Sequence, residues 1–253
     1  MKIKYLSIIF LCLLSFYYTE KIALYVKSKN PLIKKIESQK EDLYVNSINS
    51  TLIDELYIIP GLNGKEVNVD SSFKIMKILN VYDEDKIVYN QIKPSISLNE
   101  NKNRIIIRGN SQKRNVSLIF EKESNLTKYL LQSNIIFNVL ITKEEYNKNY
   151  EMINNSNNQT TYNNINSYLT KNDLNKELCY INNKSLCKNK YIFQESLTIN
   201  HSNISSNINK ISNGEIILVK DTLTLAELEL LINKIKTQDL SIVPLSVLIS
   251  EDN

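Results

Sequence analysis

The sequence predicts an α/β protein: a parallel sheet or shortened, irregular (β/α) barrel with helices outside over residues 112–253, a small α+β domain over 27–111, and an apolar helix over 1–26. Three observations carry that expectation. From Arg114 onward strand-like and helix-like patterns alternate, as in repeated βα units. Near the end, an apolar strand opened by a glycine leads into a helix with its own start signal. At the beginning, Lys2 and Lys4 introduce an apolar run that can span a hydrocarbon core.

That run is apolar over 5–18, is interrupted by Glu20-Lys21 and resumes at Ile22-Ala23-Leu24-Tyr25-Val26. As one helix, 5–26 measures roughly 33 Å, about one hydrocarbon core. No small-x-small cleavage pattern follows, and Cys12 is preceded by Phe10 and Leu11 where a lipoprotein signal needs small residues. The expectation is an uncleaved signal anchor, with the membrane as a partner and the bulk of the chain extracytoplasmic. Lys27, Lys29, Lys34 and Lys35 compete with the amino-terminal charges, so the positive-inside rule leaves the orientation open.

The next segments form the small α+β domain. Asn30-Pro31 marks a break, and two of four glycines, Gly61 and Gly64, follow Pro60 between apolar flanks, which is turn chemistry. Phe73, Met76 and Leu79 share one helical face over 71–79, and Arg104-Ile105-Ile106-Ile107-Arg108 reads as a strand ending at Gly109.

In the larger domain, Val116-Ser117-Leu118-Ile119-Phe120 reads as a strand, 126–132 as a helix and 135–141 as the next strand. An Asn-rich stretch at 147–166 interrupts the order, which resumes over 174–178 and continues with strand-like 191–193 and 197–199. Gly214 is placed to end a short helix at 204–211 and to open the strand 215–219. Thr224-Leu225-Ala226-Glu227 has capping-box form, and Leu225, Leu228, Leu231, Ile232 and Ile235 follow at helical spacing. A strand at 241–243 leads to Pro244 and a helical tail.

Composition removes several function classes. Thirty-one basic side chains stand against 27 acidic ones, a net charge of +4. Only Arg104, Arg108 and Arg114 offer guanidinium groups for phosphate or base recognition, which disfavours nucleic acid as a partner. His201 is the single histidine, so histidine-rich zinc chemistry and any dyad of histidines are excluded, and no Ser-His-Asp arrangement can be placed. The scattered glycines build no phosphate loop. Cys179 and Cys187, with seven residues between them, are a disulfide candidate, worth roughly 2.5 kcal/mol by chain entropy; two free thiols is the alternative, and a zinc site lacks two further ligands nearby.

Three segments in order resemble the polysaccharide deacetylase family, the NodB-homology carbohydrate esterases. The strand Asn115-Val116-Ser117-Leu118-Ile119-Phe120 with Glu121-Lys122-Glu123-Ser124 is similar to that family's opening strand, whose tip reads Thr-Phe-Asp-Asp-Gly. Asn213-Gly214-Glu215-Ile216-Ile217-Leu218-Val219-Lys220-Asp221 is similar to its late Gly-x-Ile-Ile-Leu-x-His-Asp strand, and 223–248 to its closing helix and strand.

The resemblance implies a deacetylase-type barrel that removes acetyl groups from N-acetyl sugars. An aspartate and two histidines there hold a divalent metal, and a further aspartate activates water; the metal lowers the pKa of that water and polarises the amide. Carried over, the Asp-Asp pair falls on Glu121 and Lys122, the late histidine on Lys220, and its neighbour on Asp221. The paired histidines expected after the second strand have no counterpart in Asn155-Ser156-Asn157-Asn158-Gln159-Thr160-Thr161-Tyr162, and His201-Ser202 comes too late in the chain.

The expectation is therefore a degenerate deacetylase-like protein without a resident cofactor, binding cell-wall glycan or an envelope protein. The alternative is an active esterase holding zinc through Glu121, Asp221 and His201. Glu121 and Asp221 also admit a carboxylate acid–base pair of glycosidase type.

Overall fold

The structure, a computed structural model, describes residues 30–141, 165–170, 178–180 and 191–252, with single helical positions at 14, 15, 17–19, 21, 22, 25 and 29. No helix among the described residues is long and apolar enough to cross a membrane. Most of the expected anchor, nearly all of the Asn-rich stretch, and Cys12 and Cys187 lie outside the described residues.

Along the chain the elements are α1 (Pro31–Ser38), β1 (Thr51–Ile53), β2 (Tyr57–Ile59), β3 (Gly64–Val67), α2 (Val69–Met76), β4 (Tyr89–Ile92), β5 (Ile105–Ile106), β6 (Asn115–Phe120), α3 (Asn125–Gln132), β7 (Phe137–Ile141), β8 (Ile165–Thr170), β9 (Leu178–Tyr180), β10 (Tyr191–Phe193), β11 (Leu197–Ile199), α4 (Ile204–Asn207), β12 (Ile216–Val219), α5 (Leu225–Thr237), β13 (Ser241–Ile242) and α6 (Leu245–Ile249).

They form two compact units, Met1–Asn46 with Gly64–Ile92, and Ser47–Asn63 with Lys93–Asn253. This differs from a single boundary at 111. Strands β1, β2 and β5, expected in the smaller domain, pair into one sheet with β10 and β9, so their segments are part of the larger unit.

In the smaller unit β3 and β4 pair antiparallel. Asn30 caps α1 by accepting from the Leu32 amide, with Pro31 supplying the first-turn φ, and Asn68 caps α2 by accepting from the Ser71 amide. That cap starts α2 two residues before the predicted 71. Leu32, Ile36, Val67, Met76 and Ile87 form the core.

Among the described residues the strands of the larger unit pair into two sheets. One runs β1-β2-β5-β10-β9, antiparallel only between β1 and β2. The other runs β11-β12-β6-β7-β8, all parallel, with β13 pairing the first residues of β6. The chain changes sheet within three residues: the Gln194 amide bonds to Ile106 O, and the Ser196 amide to Ile216 O.

Strand alternation then divides the core. Val116, Leu118 and Phe120 of β6 and Ile217 and Val219 of β12 pack with Leu126 and Leu130 of α3, Ile204 of α4, and Leu228, Leu231, Ile232 and Ile235 of α5. Ile119, Ile216 and Leu218 point the other way, into an interior shared with Ile58, Ile106 and Phe193 of the first sheet and plugged by Leu245, Leu248 and Ile249 of α6. All four side chains of β12 are buried, which is why it reads as an unbroken apolar run. Asn138, wholly buried in this interior, donates to Ser117 Oγ at 2.8 Å and accepts from the Leu245 amide at 3.2 Å, fixing the start of α6.

A glycine pair closes the seam between the sheets. Gly109 donates its amide to Gly214 O at 2.8 Å. A Cβ at Gly214, where φ is +86°, would lie 2.4 Å from Gly109 O, and one at Gly109 would lie 2.7 Å from Leu248 Cγ. Beside the seam the buried carboxylate of Glu215 accepts from Ser196 Oγ and Ser212 Oγ and pairs with Arg108 at 3.1 Å. Gly214→Ala should destabilise the protein by about 1–3 kcal/mol in urea unfolding, because a side chain at that φ is strained and has no space.

Candidate functional site

Three parallel strands end level. Phe120 of β6 is the register partner of Val219 of β12, and Val219 is the partner of Ile199 of β11. Continuing the register by one and two residues sets Glu121 opposite Lys220 and Lys122 opposite Asp221. The side chains meet accordingly: Lys220 Nζ lies 2.5 Å from Glu121 Oε1, and Lys122 Nζ 2.9 Å from Asp221 Oδ2. Like all cross-strand neighbours, opposite charges placed this way attract and like charges would repel.

The four residues singled out in the sequence are thus brought together, and the tips enclose an open cavity of about 490 Å³. Glu121, Lys220, Asp221 and His201 line it, with Asn200, Ser202 and Thr222 completing the wall. Lys122 sits at the rim, 65% exposed, and its hydrogen bond to Asp221 raises its pKa above the ordinary lysine value. Asp221 Oδ1 is buried and has no hydrogen-bond partner among the described residues.

His201 shares the cavity but turns its Nδ1 to Glu227 Oε1, 2.7 Å away. The other oxygen of Glu227, Oε2, accepts from the amide and hydroxyl of Thr224 at 2.8 and 2.9 Å, closing the capping box of α5. Those bonds, the Thr224 amide first and His201 after it, hold the Glu227 carboxyl below the ordinary glutamate range. The capping box is visible in the sequence; its use as the histidine's partner is not. Nor is the Tyr180 hydroxyl at the tip of β9, which donates to Glu195 Oε2 at 2.6 Å and whose pKa is raised by burial and then by Glu195. Cys179, buried in β9, is disulfide-bonded; its expected partner Cys187 lies outside the described residues.

The residues present do not fit the metal that the resemblance implies. Lys122 stands at one of the paired-aspartate positions carried over, where a protonated amine has no lone pair to donate, and Lys220 stands at the position of the late catalytic histidine. Both carboxylates of the cluster are already neutralised by these lysines. Among the described residues no three His, Cys, Asp or Glu side chains are grouped to hold an ion.

No family model matches the chain. Over 92 residues it is 33% identical to the uncharacterized protein YlxY of Bacillus subtilis, covering 36% of this chain and 29% of that protein, so the match spans less than a third of the relative's length. Its fold is similar to that of BA3943, a CE4 family pseudoenzyme of Bacillus anthracis, with a TM-score of 0.55 at 15% identity over 87% of this chain and 95% of that one. A BA3943 mutant with restored enzymatic activity matches with the same TM-score at 16% identity, covering 87% of this chain and 98% of that one. The chain therefore has a fold similar to that of these CE4 family structures, in keeping with the resemblance of its strand and helix order.

Two outcomes test the site's electrostatics. A double-mutant cycle on E121Q and K220M, read by urea unfolding, should give a coupling of about 0.5–1 kcal/mol, kept small because each side chain stays about one-third exposed. A carboxyl depressed in the folded state contributes stability above its unfolded pKa and loses it as pH falls through the folded one. The difference in thermal midpoint between wild type and E227Q should therefore be present at neutral pH and vanish below the ordinary glutamate range.

Proposed function

We propose that the protein is a non-catalytic module of deacetylase fold, held at the membrane by residues 1–26 with its bulk extracytoplasmic, and serving the bacterial cell envelope by binding glycan or an envelope partner. The observation that carries this reading is the pair of lysine–carboxylate bridges at the strand tips. Hydrolysis of an N-acetyl group needs an electrophile to polarise the amide and a base to activate water. Glu121 and Asp221 are each engaged by an ammonium group, and the imidazole of His201 is turned to Glu227. The similarity to a structure described as a pseudoenzyme supports the same reading, since that fold persists without its activity.

The cleft retains what a binding surface uses: an open cavity walled by hydroxyl, amide and charged groups of both signs. The basic amino-terminal residues followed by the apolar run support attachment to a membrane.

The full-length protein in detergent, incubated with chitooligosaccharide or peptidoglycan with and without zinc, should release no acetate and should be retained on immobilised glycan or on envelope membranes. Acetate released in proportion to added metal would overturn the proposal.

A further inference from the structure

We infer that the apolar turn at the end of α2, carrying Ile75, Ile78, Leu79 and Val81, is a second membrane contact: it dips into the lipid interface beside the point where the chain leaves the bilayer. The inference rests on the proposed attachment through residues 1–26 and adds to it a lipid-contacting surface on the smaller unit.

The turn is built to display these side chains. Phe73, Met76 and Leu79 would share one buried face if the helix ran on, but α2 stops at the buried Met76 and the chain tightens at once. The amides of Leu79 and Asn80 both donate to Met76 O, at 3.2 and 3.0 Å, with Asn80 in the left-handed region at φ +49°. Leu79 is thereby carried off the face that packs. Ile75, Leu79, Val81 and Ile78 are 48, 70, 63 and 82% exposed. Single exposed aliphatic residues are ordinary on a protein surface. Four within seven residues are not, and three of them, Ile75, Leu79 and Val81, line one open cavity of about 420 Å³ with Met76 and Tyr82, so the apolar surface is continuous.

The place of the patch in the smaller unit identifies what covers it. The apolar run ends at Val26 and α1 begins at Pro31, and five Cα steps reach at most roughly 18 Å. Leu32 and Ile36 of α1 share their core with Met76, the last residue of α2. Lys35 Nζ lies 5.6 Å from the centre of the Tyr82 ring, which closes the turn. The patch is thus held against the element that follows the membrane segment, and tethering keeps a lipid surface at a local concentration that a soluble partner does not match. The charges around it suit that surface: Lys27, Lys29, Lys34 and Lys35 precede or lie on α1, and Lys74 and Lys77 flank the patch. Glu37, Asp70, Asp83, Glu84 and Asp85 oppose them, with Asp83 paired to Lys86 at 2.7 Å. Near balance of charge leaves burial of the aliphatic side chains in the interface as the driving force.

The chain contains no tryptophan, so one introduced residue reports alone. Full-length L79W is reconstituted into phosphatidylcholine–phosphatidylglycerol vesicles with and without bromine on the acyl chains, and its fold is checked by circular dichroism. The expected result is a blue-shifted emission that loses most of its intensity in brominated lipid, and loss of that quenching in L79W/I78D/V81D. A folded L79W that brominated lipid does not quench overturns the inference; a blue shift without quenching does so as well, since it reports cover by protein, a second copy included. Quenching retained in the folded triple variant also overturns it. If L79W does not fold, I78W takes its place and is judged in the same way. L14W, within the expected anchor, is read in parallel and tests the attachment itself: a quenched L14W beside an unquenched L79W leaves the anchor standing and removes the second contact, whereas an unquenched L14W removes the anchor and leaves L79W to decide the contact.

Discussion

Strand β6 runs beside β12 with Phe120 next to Val219, and this one register decides what the tips of both strands can be. Slipped by one residue, the pairing would set Glu121 against Asp221 or Lys122 against Lys220. The same slip would turn Val116, Leu118 and Phe120 away from the helices and into the interior, where Ile119, Ile216 and Leu218 now pack. The apolar pattern and the charge pattern therefore specify one register together. The apolar pattern carries most of the energy, since a fully buried Leu, Ile or Phe is worth roughly 1.5–3 kcal/mol and a half-exposed ion pair much less. The bridges choose the chemistry of the tips after burial has fixed their alignment.

The opposite end of the same strands is built from close approaches. The Gly109–Gly214 contact lets the two sheets meet without side chains between them, and Leu248 of α6 fills the space a Cβ at Gly109 would need. Glu215 lies one residue beyond Gly214, and its carboxylate gathers Arg108, Ser196 and Ser212 around the point where the chain crosses from one sheet to the other. A buried carboxylate is tolerated there because its oxygens are fully engaged. The strand tips are thus presented by a base of close backbone contacts and engaged polar groups.

Much of the larger unit is legible from residues alone, and the physical reasons are local. The helix α5 announces itself through Thr224, Glu227 and a leucine-rich face, and β12 through four buried apolar residues after a glycine. The same patterns place Glu121, Lys122, Lys220 and Asp221 at strand ends, so their meeting follows once the strands are parallel neighbours. Strands of two or three residues give no such signal. The pairing of β5 with β2 and β10 rests on contacts between distant segments, and two-residue Ile105–Ile106 has no periodicity from which to infer a partner. That is why the residue pattern makes the smaller domain too large. The link from His201 to Glu227 is hidden for a similar reason: 26 residues separate them, and only the return of α5 beside the tip of β11 joins them.

The bridge between Lys220 and Glu121 also has a bearing on supply. A bound transition ion must be acquired after synthesis and can be stripped by a chelator. An amine on the polypeptide is translated with it, in fixed stoichiometry, so the charge of Glu121 is balanced as soon as the backbone has folded.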